Sequence, residues 1–386
     1  MEETMEKKVL RGITWGHSRG FTSIMAVSQR FMELHENVEI SWEKRSLQEF
    51  ADAPIGQLAK KYDLLVIDHP WAGFAAKHGI LLPLQEYLPE DYLEDQEDNS
   101  VGESYMSYMF GGVLSALPVD AAAPVAVYRP DYFEAAGKKA PETFDEVLEL
   151  ARQKRVIYAG IPINLLMDFY MFCVTAGGEL FSEERVVRTE TGEEALEEMR
   201  NLAALCPKEI FQWDPIAVHE NLASDTGYMY CPFAYGYSNY SKEGYAKHLL
   251  KASDVVNYKG RRFRTVLGGT GLAVSSACRE KETAVRFAEY AASPLIQRTL
   301  FFEAGGQPGH RAAWTDEECN RRSMDFFRDT LNTLDEAYLR PRYSGYLYFQ
   351  DRAGEYIREY LMNGGSAADT LEKLNSLYRK SMEVDR

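Results

Sequence analysis

Residues 63–71 read DLLVIDHPW: an acidic residue, four consecutive apolar residues, then a polar turn ending in proline and tryptophan. An apolar run without alternation suits a strand covered on both faces, as strands of parallel sheets are. Upstream, Val9–Trp15 and Val38–Trp42 are two further short apolar runs, and the segments 22–34 and 46–60 between and after them carry helical spacing. The order strand, helix, strand, helix, strand predicts a parallel sheet with helices on its faces. Ligands of such sheets bind beyond the carboxyl ends of the strands. The turns Gly16–Gly20 (GHSRG) and Asp68–Trp71 (DHPW) are therefore expected at one sheet edge.

Downstream, Leu114–Asp120 and Pro124–Tyr128 read as extended segments because Pro118 and Pro124 oppose helix formation; they mark a crossing between two lobes. A capped helix starts after Thr143, with Glu146 at the third helical position. Helical patterns follow over 165–177 and 192–205, then an aromatic run, 228–240. Arg264–Ser275 is a second extended segment with glycines at its centre, and a helix is expected over Lys281–Ala292. From Trp314 to Ser381 the pattern is helical and charged, broken at Gly364-Gly365.

A chain of 386 residues exceeds what one core usually holds, so two lobes are expected. The net charge of -16 argues against a general nucleic-acid binder or a binder of anionic membranes. The five cysteines are scattered and lack CxxC spacing, which indicates neither a disulfide framework nor a zinc ribbon. No stretch approaches the ~20 apolar residues of a membrane span. The first residues contain no signal-peptide core, so the expectation is a cytoplasmic protein as written, or an extracellular or periplasmic one if a leader has been trimmed.

The runs "LSALPVDAAAPVAVYRPDYFEAAGKKAPETFDEVLELA", "TAGGELF", "VLGGTGLAVSS" and "GGQPGHRAAW", in this order, resemble the extracellular solute-binding proteins of the maltose-binding-like class, the receptors of bacterial ABC importers. The resemblance implies a type II periplasmic-binding-protein fold, α/β, with two lobes, each a mixed sheet flanked by helices, and a helical C-terminal part. Lobe 1 would comprise 1–120 and 268–313, and lobe 2 121–267 and 314–386, with crossings near 118–124, 266–271 and 312–316. The third crossing is expected from the resemblance. It also implies binding of a small molecule between the lobes, hinge closure, a monomer, and an ABC permease as partner if the protein is exported.

Several residues stand where that fold places ligand contacts. In GHSRG, His17, Ser18 and Arg19 could cradle an anion at a helix start, or serve only as a cap and a solvated arginine. In DHPW, Asp68 could accept hydrogen bonds from hydroxyls or an ammonium group, His69 could donate or shuttle a proton and Trp71 could stack; alternatively Trp71 is core packing and Asp68 a cap. Asp120 lies on the first crossing and Gly269 and Thr270 on the second. Tyr235 and Tyr237 flank Gly236, where the chain could turn toward a ligand, and Gln307, His310 and Arg311 occupy a later turn. Arg19 and Arg311 with the three histidines suggest a positively biased pocket and hence a carboxylate-bearing or sugar-acid-like solute. The scattered histidines lack metal-site spacing, so neither metal nor cofactor is expected. The competing reading is an enzyme on the same scaffold, with His17, His69 or Asp68 as acid and base.

Overall fold

The computed structural model describes residues 6–46, 54–182 and 184–384. In chain order the longer strands are β1 (Lys8–Trp15), β2 (Val38–Arg45), β3 (Leu64–Ile67), β4 (Leu117–Ala122), β5 (Pro124–Tyr128), β6 (Tyr230–Tyr235), β7 (Lys251–Ser253) and β8 (Gly268–Val274). The principal helices are α1 (Ser23–Leu34), α2 (Phe144–Arg152), α3 (Pro162–Thr175), α4 (Thr189–Leu205), α5 (Lys281–Ala292), α6 (Tyr346–Asn363) and α7 (Ala367–Met382). The chain divides into two compact units, Met1–Ala121 with Gly268–Cys319 and Ala122–Leu267 with Asn320–Arg386. Its last passage between them lies beyond the expected 312–316, because Trp314 is buried in unit 1 with its indole N–H donating to the Pro308 carbonyl at 2.7 Å.

Unit 1 is built on a five-stranded sheet of order β2-β1-β3-β8-β4. Strand β1 runs parallel to β2 from Lys8↔Val38 to Trp15↔Arg45, and parallel to β3 at Gly12↔Leu64, as the strand–helix rhythm predicts. Strand β8 joins antiparallel to β3, making the sheet mixed. All four residues of β3 are buried, which explains the unbroken apolar run. Helix α1 buries Ile24, Val27 and Phe31, spaced for one helical face, and Phe31 meets Phe287 of α5 edge-on at 5.3 Å. Burying each such side chain contributes about 1.5–3 kcal/mol. Gly12 is required in β1, since a Cβ there would lie 2.4 Å from the Trp42 ring on β2. Of the helix expected over 46–60, Ile55–Lys61 is helical, and 47–53 lie outside the described residues.

Unit 2 contains the three-stranded sheet β6-β5-β7, antiparallel throughout. Helix α2 starts with the capping box foreseen at Thr143 and Glu146. Helix α3, apolar nearly all round, is buried along most of its length, as such helices must be. It packs closely on α6, where a Cβ at Gly354 would come within 2.1 Å of the Pro162 carbonyl oxygen. Gly364 and Gly365, with φ of 80° and 112°, break the chain between α6 and α7.

Among the described residues no helix is long and apolar enough to cross a membrane. All five cysteines are buried and outside any disulfide. Burial pushes the thiols of Cys206 and Cys278 up to about 12, and those of Cys173 and Cys231 well above the ordinary value.

One charge-bearing residue of α3 is buried with its apolar neighbours. Asp168 is 4% exposed, and its Oδ2 has no hydrogen-bond partner among the described residues. Tyr158 and Cys231 lie near enough to feel its charge, and burial holds the carboxyl well above the usual carboxylate range. Below the unfolded value of about 3.9 both states carry the proton; above it, folding must take one up. Stability therefore falls by about 1.4 kcal/mol per pH unit above that value, until the folded state also ionises. Asp168→Asn should raise the thermal midpoint at pH 7, with an advantage over the parent that shrinks toward pH 4. Scanning calorimetry at both values would show this, and a pH-independent difference would contradict a neutral Asp168.

Candidate functional site

Because β1 and β3 are parallel neighbours, the turns that follow them leave from the same edge of the unit 1 sheet. The first is a π-helical turn, Ser18–Thr22, entered through His17, whose Nδ1 accepts from the Arg19 N–H at 3.0 Å. A neutral His17 therefore carries its proton on Nε2. Its ring stacks on Trp15 at 5.5 Å and 13°. Gly20 permits this arrangement, as a Cβ there would lie 2.1 Å from the indole nitrogen of Trp15. His17 and Ser18 remain half-buried.

Arg19 and Asp120, both expected to meet a ligand, meet each other. The Arg19 Nε donates to Asp120 Oδ2 at 2.6 Å and its Nη2 to Oδ1 at 2.5 Å, a bidentate fork with each residue 4% exposed. The guanidinium also lies 5.7 Å from the Trp15 ring centroid. Burial pushes the Asp120 carboxyl up, and the adjacent guanidinium acts in the opposite direction. The turn points Arg19 into unit 1 because a carboxylate waits there.

In the second turn Asp68 caps the short helix His69–Trp71, its Oδ1 accepting from the His69 N–H at 2.9 Å, and stays half-buried. His69 is buried edge-on to Tyr108, whose hydroxyl donates to the Ile67 carbonyl. Trp71 is also buried and lies edge-on to Phe74. Asp68 therefore caps the helix and Trp71 packs against Phe74, as the capping and packing alternatives have it.

The later candidates in unit 1 are engaged in building it. Gly269 has φ of 107°, and a Cβ there would sit 2.3 Å from the Asp120 carbonyl oxygen; Thr270 beside it is buried. Gln307 donates through Nε2 to the Ala121 carbonyl at 2.8 Å. His310 caps the helix Arg311–Trp314 through Nδ1 and faces Asp95 through Nε2 at 3.2 Å. Burial holds the His310 imidazole below its ordinary value despite Asp95, leaving it neutral near pH 7. Arg311 is half-buried.

In unit 2, Tyr235 ends β6 half-buried, whereas Tyr237 is buried edge-on to His219 at 5.4 Å. Gly236 between them answers to packing: a Cβ would lie 2.8 Å from Phe326. The sequence reading missed the polar residues around these rings, His219, Ser238 and Asn239, all nearly fully buried. The Tyr240 hydroxyl donates to Glu220 Oε1 at 2.5 Å. Ser238 and Asn239, interleaved with the tyrosines in YSNY, were the available signal. Among the described residues no group of three His, Cys, Asp or Glu side chains could hold a metal ion.

The model of a family described as bacterial extracellular solute-binding protein matches residues 15–297. A mannitol-binding protein of Pseudomonas aeruginosa is 32% identical over 119 residues, covering 30% of this chain and 26% of that protein, so the match spans about a quarter of the relative's length. Among solved structures, a ribitol complex of an ABC transporter solute-binding protein from Agrobacterium radiobacter has a TM-score of 0.83 at 19% identity, covering 97% of this chain and 99% of the other. A maltose-bound protein of T. maritima has a TM-score of 0.82 at 19% identity, covering 96% and 99%. At these identities the likeness carries the fold: two-lobed, mixed α/β, with a helical C-terminal region.

Removing one partner of a buried ion pair strands the other and costs about 3–5 kcal/mol. Arg19→Ala should therefore lower unfolding free energy by that order in urea titrations. A loss under about 1 kcal/mol would mean that Arg19 is solvated.

Proposed function

As this chain belongs to the bacterial extracellular solute-binding protein family, we propose that its solute is a small neutral polyhydroxylated molecule, a sugar or sugar alcohol, bound for uptake through an ABC permease. The observation that carries this reading is the internal neutralisation of the unit 1 turns. Arg19 is forked onto Asp120, and His310 is uncharged beside Asp95. This pairing weakens the case for the positively biased pocket that favoured an anionic solute. The half-buried groups at the strand ends, His17, Ser18 and Asp68 on unit 1 and Tyr235 on unit 2, are of hydrogen-bonding and aromatic types suited to hydroxyls and sugar faces. The related proteins that bind mannitol, ribitol and maltose support the same solute class. The expected cytoplasmic role rested on the first residues of the sequence alone; the extracellular setting of the family supports uptake instead.

A thermal-shift series would test this with D-mannitol, ribitol, D-tagatose and maltose against gluconate and galacturonate. At a hundredfold excess over Kd a true solute stabilises by about 2.7 kcal/mol, a shift of several degrees. At least one neutral compound should produce it. Stabilisation by the acids alone, or by none of the six, would overturn the proposal.

A further inference from the structure

Asp120 occupies a junction. It is the second-last residue before the chain leaves unit 1 after Ala121, and Gly269, the second residue after the chain returns, lies against its carbonyl oxygen. Asp120 also forms a backbone bridge with Pro308, and Ala121 is bonded on both sides by Gln307, its N–H to the Gln307 carbonyl at 3.2 Å and its carbonyl to Nε2 at 2.8 Å. The main chain of Asp120 is thus fixed where the two crossing strands β4 and β8 adjoin the turn around residue 308. Its side chain is fixed by Arg19, 101 residues away in sequence.

Arg19 is equally constrained at its own end. Its N–H is held by His17 and its carbonyl accepts from Ser23 Oγ at 2.7 Å, so its main chain is part of the turn that presents His17 and Ser18 while its guanidinium reaches Asp120. A buried ion pair is a poor source of net stability, because well-packed apolar residues of similar volume usually do as well or better. What a bidentate fork supplies is geometry, a fixed plane and separation that a single hydrogen bond or a lysine does not impose.

We infer that Arg19 and Asp120 are positioning residues: the fork locks the turn after β1 to the strands by which the chain leaves and re-enters unit 1, and sets solute affinity without touching the solute. The mechanical coupling stands on unit 1 alone; the effect on affinity rests on the binding function proposed above.

Two variants test this. Arg19→Met with Asp120→Leu replaces the pair by apolar volume, and Arg19→Lys keeps the charge but loses the fork. Both should melt within a few degrees of the parent. In hydrogen exchange, amides of residues 16–22 and 119–122 should exchange at least tenfold faster together, with those of β2 unchanged. Unchanged exchange in the turn, or acceleration spread uniformly over unit 1, would overturn the coupling. With D-mannitol and ribitol as titrants, Kd should rise at least tenfold in both variants for whichever the parent binds, and equal affinity would overturn the effect on binding. A parent that binds neither, nor any other neutral compound of the thermal-shift series, would count against the proposed solute class, while the exchange data would still decide the coupling.

Discussion

A strand with parallel neighbours on both sides cannot be reached by hairpins, and β1 is such a strand, flanked by β2 and β3. Each connection must cross the sheet, α1 supplies the first crossing, and the strand ends that carry GHSRG and DHPW are forced to one edge. The all-apolar β3 follows from its central place, and Gly12 from the need to let Trp42 approach β1. The placement of the turns is thus a matter of topology. Their chemistry is set by what each side chain finds at that edge.

Local patterns were legible wherever cause and effect lie close in sequence. The Thr143–Glu146 capping box, the bounds of α5 and the Gly364-Gly365 break each depend on a few adjacent residues, and each stands in the structure as read. The direction of Arg19 was not legible, because its partner lies 101 residues downstream and nothing near GHSRG announces it. The burial of Gln307 and His310 was hidden for the same reason: their partners, Ala121 and Asp95, lie 186 and 215 residues away. Glycine was the ambiguous signal. Gly236 and Gly269 looked like room for a ligand, and in the structure Phe326 and the Asp120 carbonyl lie where a side chain at each would stand.

The net charge of -16 says little about the site, since most of it resides on surface carboxylates that water screens. Inside unit 1, Arg19 and Asp120, two of the charges expected to select a solute by sign, oppose each other at hydrogen-bond distance. Under the proposed function, recognition would rest on the direction of donors and acceptors, and so on the placement of a solute's hydroxyls.

The five sheltered cysteines have a consequence of a different kind. Buried thiols react slowly with oxidants and alkylating reagents, and burial also raises the thiols of Cys173, Cys206, Cys231 and Cys278, so in the folded chain chance disulfides are disfavoured. The same shelter makes each thiol a built-in clock. Cys206 and Cys231 report the opening of unit 2, and Cys278 and Cys319 that of unit 1, so labelling rates time the loosening of each unit without any added probe.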